Sequence, residues 1–396
     1  MPATTEPIVA TPEEMTLAVL QETTFGENPA TDLALATFTE FKLEPKFERS
    51  ESERHGRRRV ATRRADEVTG SWADELSYQD NELMISLFWS ALWTTGAAPI
   101  SDDDFDLTTA TQTIESLDAD KFNTLVKGQP IHVTHPGGAG WAVVDVVTGG
   151  TPSSVKLIPL DMPPLADGAG VAVTLACSRF ISPWKTPFSL MAELRDGDLG
   201  EFHGAFGLKA NDGEIAIEAG STVKVSCNFA GSRYVLDDAT AGTGTDTAAT
   251  NNVPMNGDDA WKALIIGGES VTDRFPTKAT IKVTVANRAP RTGGRPKLSG
   301  PVTIRKGEPM VELSFAFLRT AATKPIRERV NDDSADWAAT VLDSAAGQYV
   351  IYLPNLAYRP SSAGDKDGTV EDTFDALALW SEDYGYYAVL GALDAT

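Results

Sequence analysis

Short runs in which every second residue is apolar recur along the whole chain, separated by glycine, proline and aspartate. Residues 37–43 (TFTEFKL) form the first. The pattern repeats at 131–133, 141–147, 155–158, 171–175, 215–217, 223–229, 281–285, 311–317, 349–353 and 374–380. A period of two puts alternate side chains on opposite faces of an extended chain, so these runs predict strands with one buried face. Helical signals are few. Asp80 can accept from the free first-turn amides of a helix over 81–93. A second helix is predicted over 321–331, with Pro325 complicating its start. The apolar run at 83–93 (LMISLFWSALW) falls short of the roughly 20 residues that span a bilayer and reads as a buried helix. The fold class expected is mainly β.

The elements fall into two similar series. In the first, strand 37–43 leads to an arginine-rich segment, a strand over 68–78, the helix over 81–93, and strands over 188–193, 201–210 and 214–229. In the second, strand 280–285 leads to another basic segment (287–306, NRAPRTGGRPKLSGPVTIRK), a strand over 311–317, the weaker helix, and strands over 349–353 and 371–380. What repeats is the order of elements, not of residues. The first series also carries extra sequence before residue 188. Asp102, Asp103 and Asp104 open a polar connector, and residues 122–173 break into five short strands, the pattern of a small barrel that projects as a separate body. Residues 237–252 (DDATAGTGTDTAATNN) lack large apolar side chains and read as linker.

Composition narrows the function classes. A chain of 396 residues with 42% hydrophobic content can bury a real core and has room for two or three domains. A formal net charge of -22 repels phosphate and argues against a general nucleic-acid binder. Cys177 and Cys227 lie in no CxxC pair, which disfavours a zinc site or a disulfide framework. The acidic, polar start MPATTEPIVATPEEM does not read as a secretory signal. A soluble protein made in a reducing cytoplasm is expected, with no membrane partner.

No catalytic constellation emerges. His132 and His135, three apart in a strand, point to opposite faces and cannot share a metal, and a surface turn is the plainer reading. Nucleophile-elbow, zincin, Walker and dinucleotide fingerprints are missing. The run of Asp102, Asp103 and Asp104 lacks EF-hand spacing. Trp141, Trp184, Trp261 and Trp380 could stack on sugars, but their scatter through strands favours core packing. The expectation is no enzyme, no cofactor and no metal.

The arginine-rich segment SESERHGRRRVATRR carries Arg54, Arg57, Arg58, Arg59, Arg63 and Arg64, and the second basic segment carries Arg291 and Arg295. In a chain rich in carboxylates, guanidinium groups have bidentate partners on neighbouring protein surfaces. Contact with a neighbouring subunit or other protein surface is favoured over contact with DNA, and a solvated arm stands as the third reading.

Four phrases in this order resemble the tail tube proteins of long-tailed, non-contractile (siphovirus-type) bacteriophages. FKLEPKFERSESERHGRRRVATRRADEVTGSWADELSYQDNELMISLFWSAL resembles the family's opening strand, long polar hairpin, strand and helix. LVKGQPIHVTHPGGAGWAVVDVVTGGTPSSVKLIPL resembles its inserted barrel. PFSLMAELRDGDLGEFHGAFGLKANDGEIAIEAGSTVKVSCNFAGSR resembles its middle hairpin. TNNVPMN with YVIYLPNLAYRPSSAGDKDGTVEDTFDALAL resembles its linker and closing strands. The likeness covers about residues 12 to 385. Pro130 departs from the pattern, and SEDYGYYAVLGALDAT at the end has no counterpart.

The resemblance implies duplicated β-sandwich tail-tube domains, each with one short helix, plus the inserted small barrel. The expected organisation is an N-terminal segment 1–36, a first domain from 37–120 and 177–236, a barrel over 121–176, a linker over 237–274 and a second domain over 275–396. It implies a virion structural protein that polymerises into stacked rings, forming the hollow conduit for the genome. A trimeric ring with pseudo-sixfold symmetry follows if each chain fills two of six positions. The implied partners are copies of itself and the tape measure, terminator and distal tail proteins, with phage DNA passing through unbound. Assembly in the host bacterial cytoplasm and a final place in the virion tail are implied. The alternatives are a tail-completion or baseplate ring protein and a carbohydrate-binding β-protein.

Overall fold

A computed structural model of the chain describes residues 15–27, 31–54, 57–182, 188–196, 200–237, 239–242, 245–272, 276–286, 290–291, 303–304, 308–332, 336–359, 362–366 and 369–395. The chain is mainly β, as its alternation predicts. The first series opens with β1 (Met15–Gln21), β2 (Ala34–Ala36), β3 (Glu40–Arg54), β4 (Arg57–Glu75) and α1 (Glu82–Trp89). The expected strand over 68–78 is thus the end of a 19-residue strand that begins inside the arginine segment, and β3 and β4 form one long hairpin. After α1, β5 (Thr94–Thr95) leads into β6 (Ile100–Thr108), β7 (Thr113–Ser116), β8 (Pro130–His135), β9 (Gly138–Thr148), β10 (Ser153–Pro159) and β11 (Gly168–Ala176). β12 (Arg179–Ile181) returns the chain to β13 (Leu190–Asp196), β14 (Glu201–Glu218), β15 (Lys224–Gly231) and β16 (Arg233–Asp237).

The second series runs β17 (Trp261–Ile266), β18 (Glu269–Ser270), β19 (Pro276–Ala286), the short pair β20 (Pro290–Arg291) and β21 (Thr303–Ile304), and then β22 (Glu308–Leu318). It closes with α2 (Lys324–Asn331), β23 (Asp336–Ser344), β24 (Gly347–Tyr358), β25 (Ser362–Lys366), β26 (Thr369–Ala378) and β27 (Val389–Asp394). α2 starts at Lys324 with Pro325 in its first turn, where a missing backbone N–H costs nothing.

The pairings show a fuller duplication than sequence order alone. In the first unit β2, β1, β13, the first half of β14, and β16 form one sheet. In the second unit β18, β17, β23, the first half of β24, and β27 form its counterpart. β14 then crosses to pair with β15, and β15 with β4. Likewise β24 crosses to pair with β26, and β26 with β22. Residues 15–21, expected to lie in an N-terminal segment, and 261–266, expected to lie in a linker, are therefore strands of these sheets.

α1 fills the gap between the two sheets of the first unit. Met84, Ile85, Leu87, Phe88 and Trp89 are all buried in the main core with Trp72, Ile215 and Phe229. Gly213 makes this possible, because a Cβ there would meet Phe88 at 2.4 Å. The helix cap differs from expectation. Asn81 occupies the cap position and makes no side-chain cap bond. Its Oδ1 accepts from the Ser77 amide at 2.6 Å and its Nδ2 donates to Asp74 at 2.9 Å. Asp80 instead accepts from the amides of Thr250, Asn251 and Asn252. The polar segment read as a free linker is pinned there and again at residue 247, where Leu35 and Thr247 exchange strand-like bonds with their neighbours.

The insert is a closed barrel of six strands, β10-β7-β6-β11-β8-β9, not five. Asp102, Asp103 and Asp104 lie within β6 rather than in a polar connector. The barrel has its own core around Phe105, Phe122, Val144 and Leu175. It does not project freely. Trp141, Val143 and Leu160 form a third core with Ala263, Ile265, Tyr352 and Val389 of the second unit. The closing segment, unplaced from sequence, supplies both β27 and the turn on which the barrel rests. Tyr386 donates its hydroxyl to the Gly128 carbonyl at 2.7 Å.

Candidate assembly surfaces

The two units meet edge to edge. The second half of β14 pairs antiparallel with β19, with Glu214 opposite Lys282, Ile215 opposite Ile281 and Glu218 opposite Lys278. One continuous sheet therefore runs β3-β4-β15-β14-β19-β22-β26, ending on β25 and the tail of β24. Its two ends are unpaired. Among the described residues, β3 pairs only with β4, and β25 only with β26. Ser362, Ala363 and Gly364 on β25 are exposed.

Alternation sorts the side chains of this sheet. Ile215, Ile217, Ile281, Val283, Leu313 and Phe374 face the core. Their neighbours face away from it, and carboxylates predominate there. Glu44, Glu75, Glu214, Glu218, Glu312 and Glu371 share that face with Lys42, Lys224, Lys278 and Lys282. Cross-strand opposition balances part of this charge: Lys282 lies between Glu214 and Glu312, and Lys224 lies opposite Glu75.

Both arms leave this sheet at the same end, since β3–β4 and β19–β22 are matching hairpins. The backbone places Arg54 and Arg57 opposite each other at the tip of the first arm, with Arg58 opposite Glu53, Arg59 opposite Ser52 and Arg63 opposite Arg49. Arg64 follows in β4. Arg291 lies in β20, opposite Thr303. The side chains of these residues, and Arg295 and His55 altogether, lie outside the described residues.

A partly buried polar network ties the units together at the opposite margin of the core. Arg179 donates to Glu82 at 2.7 Å and to Asp394 at 3.0 Å. Tyr78 donates its hydroxyl to Asp394 at 2.9 Å. Burial raises the Glu82 carboxyl above its usual range. Burial acts on Asp394 too, but the Tyr78 hydroxyl and the Arg179 charge outweigh it and hold that carboxyl low. A second clamp joins Arg195 to Glu193 at 2.7 Å and to Asp246 of the polar segment.

Among the described residues no group of three or more His, Cys, Asp or Glu is placed to hold a metal. His132 and His135 lie in a barrel strand, not a surface turn. His135 is buried, with Nδ1 accepting from the Gly137 amide at 3.2 Å and Nε2 facing the Pro163 carbonyl at 3.1 Å. Burial lowers the pKa of His132, which packs edge-on against Trp141. Cys177 and Cys227 are free and buried, and burial pushes the Cys177 thiol up to about 12. Trp141 and Trp261 are core residues, whereas Trp380 is 48% exposed and packs only on Tyr387 among described rings. Trp184 lies outside the described residues.

Among the described residues the chain is a duplicated two-sheet β protein with one internal edge-to-edge seam and two matching open edges. The sequence profile of the phage tail tube protein family matches residues 13–378, and the chain belongs to that family. It is a structural component of a phage tail. No curated protein matches the chain.

Proposed function

We propose that three copies of this chain close into a ring with pseudo-sixfold inner geometry, and that rings stack into the hollow tail tube through which the genome is delivered. The carrying observation is the β14–β19 seam. One unit joins the next inside the chain through edges whose equivalents, β25 and β3, stand unpaired at the two ends of the same sheet. Open edges in a long assembly invite wrong pairing, and joining them chain to chain removes them. Two units per chain make six units from three chains.

In this reading the charged face of the sheet lines the bore. Its excess of carboxylates avoids the counterion-release attraction that would retain DNA, so the genome passes without specific binding. The arginine arms, projecting from one end of the ring, contact the adjacent ring or subunit. Tape measure, terminator and distal tail proteins complete the tail, which assembles in the host cytoplasm. Native mass spectrometry of isolated rings, or the rotational symmetry of an averaged tube image, tests the reading. Three chains per ring support it, and six identical chains per ring overturn it.

A further inference from the structure

We propose that β25 of one chain pairs antiparallel with β3 of a second copy in one specific register: Ser362 opposite Glu44, Ala363 opposite Leu43, Gly364 opposite Lys42, and Lys366 opposite Glu40. The proposal rests on the ring reading and adds to it the surface and the alignment of the contact.

The alignment comes from irregularities that the two units share. In the first unit Leu190 lies opposite Leu208 and Ala192 opposite Ala205, so two steps on β13 face three on β14. In the second unit Asp336 lies opposite Leu356 and Ala338 opposite Leu353, again two steps against three. Bulges of this kind bend and twist a strand locally and act as built features of a fold. Superposing them equates Leu208 with Leu356. A second irregularity agrees. From Ala210 to Asp212, two steps on β14 face one on β15. From Tyr358 to Ser362, four steps face three on β26. Each strand carries one extra residue over that stretch. The same offset puts Ser362 at the position of Glu214, Ala363 at that of Ile215, and Lys366 at that of Glu218.

The partner strand is fixed through the ladder. Leu356 lies opposite Ala378, which makes Ala378 equivalent to Gly231 and Phe374 equivalent to Cys227. Phe374 lies opposite Phe315, and Phe315 opposite Ala279. Cys227 lies opposite Trp72, and Trp72 opposite Phe41. Phe41 is therefore the equivalent of Ala279, Glu44 of Lys282, and Glu40 of Lys278. The internal seam pairs Glu214 with Lys282 and Glu218 with Lys278. Transposing it gives the register proposed.

Two observations not used in the alignment agree with it. The charge pair Glu218–Lys278 reappears with its signs exchanged as Lys366–Glu40. Leu43, packed on the core side of β3, meets Ala363 at the position where Ile281 meets Ile215. A slip of one residue would turn every side chain of β25 to the wrong face.

The test is cysteine cross-linking in assembled rings. Cys177 and Cys227 are buried and do not compete. A chain carrying Ser362→Cys and Glu44→Cys should oxidise to covalent multimers, read on a non-reducing gel. Ser362→Cys with Lys42→Cys, two residues out of register, should give at least about tenfold less, because diagonal neighbours are roughly 7–8 Å apart. Equal or stronger cross-linking of the Lys42 variant in rings of normal size overturns the register and leaves the ring reading intact. Hydrogen exchange on the unmodified protein covers the case in which the variants do not assemble. Segments 40–46 and 362–366 should gain protection when rings form, and unchanged exchange in both overturns the contact. A wild-type chain that forms no ring at all removes the reading on which the proposal rests.

Discussion

The indole nitrogen of Trp141 donates to the side-chain oxygen of Gln348 at 3.0 Å, across 207 residues of sequence. One residue belongs to the inserted barrel and the other to β24 of the second unit. The barrel therefore interrupts the first unit in the chain but is seated on the second in space. Trp141→Ala should destabilise the protein by about 3–5 kcal/mol, as large-to-small changes of buried aromatics do. Trp141→Phe, which keeps most of the packing, should cost about 1 kcal/mol for the lost hydrogen bond. Denaturant titration measures both. Replacing residues 122–173 by a short flexible linker should yield insoluble protein, since it bares Tyr352, Val389 and Ile265. That is opposite to the outcome a freely projecting barrel predicts.

Arg179 bridges Glu82 of α1 and Asp394 at the end of β27. Arg179→Ala leaves the partly buried Glu82 carboxylate without its cation, and should cost about 1.5–3 kcal/mol. Arg179→Lys should recover only part of this, because a single ammonium cannot reproduce a planar fork reaching two acceptors. Thermal melts of the three proteins rank them, and equal stability of wild type and alanine variant contradicts the bridge.

Glu22, 7% exposed, accepts from the Ser189 hydroxyl at 2.7 Å and from the amides of Gly207 at 2.6 Å and Gly26 at 3.1 Å. Glu22→Gln points an amide N–H₂ at one set of donors and should cost about 1–3 kcal/mol. Burial raises the pKa of this carboxyl. The folded state then binds the proton more tightly than the unfolded state does. The group's contribution is greatest below the unfolded value and falls as pH rises through the folded one. The wild-type advantage over the glutamine variant should shrink across that window and then level off, as read from stability measured against pH.

Glu40→Lys and Lys366→Glu each place like charges opposite one another at the proposed chain-to-chain seam. Each should slow or weaken ring formation several-fold in low salt, and the double variant should recover it. Light scattering during assembly follows this. A double variant no better than the singles counts against the pairing of these positions.

Changing Arg57, Arg58 and Arg59 together to Glu should leave a subunit that folds and closes rings but does not stack them, because charge reversal turns attraction to a neighbouring acidic surface into repulsion. Normal tubes in electron micrographs of the triple variant eliminate a role for this arm in stacking.

The mainly β class, the duplication and both helices were legible because alternation and apolar runs are local signals. What escaped depended on distant partners. Asp80 sits where a helix cap is expected, yet its carboxylate holds residues 250–252, and nothing within a few residues of it shows that. Asp102, Asp103 and Asp104 look like a solvated loop, but a barrel strand tolerates a polar outward face. The segment ending in SEDYGYYAVLGALDAT carries a strand and a docking turn whose apolar residues make sense only against the barrel and β24. Trp380 shows the reverse error, since its strand-like context suggested a core position that its exposure contradicts. The seam itself was hidden, because the bulges that align the units appear only in pairing and leave no mark in periodicity.

Carrying both units on one chain also changes what mutation can do. In a ring of identical single units, any substitution is copied to every position at once and must suit all of them. Here β14 and its counterpart β24–β25 answer to different codons. The two already differ in sequence: β14 carries Glu214, Ile215 and Glu218 where β25 carries Ser362, Ala363 and Lys366. The seam within the chain, whose strands stay close at any dilution, runs over Asp212–Glu218 and Lys278–Thr284. In the proposed ring the seam between chains forms by collision and falls to β25, so the strength of closure is open to selection there without disturbing its twin.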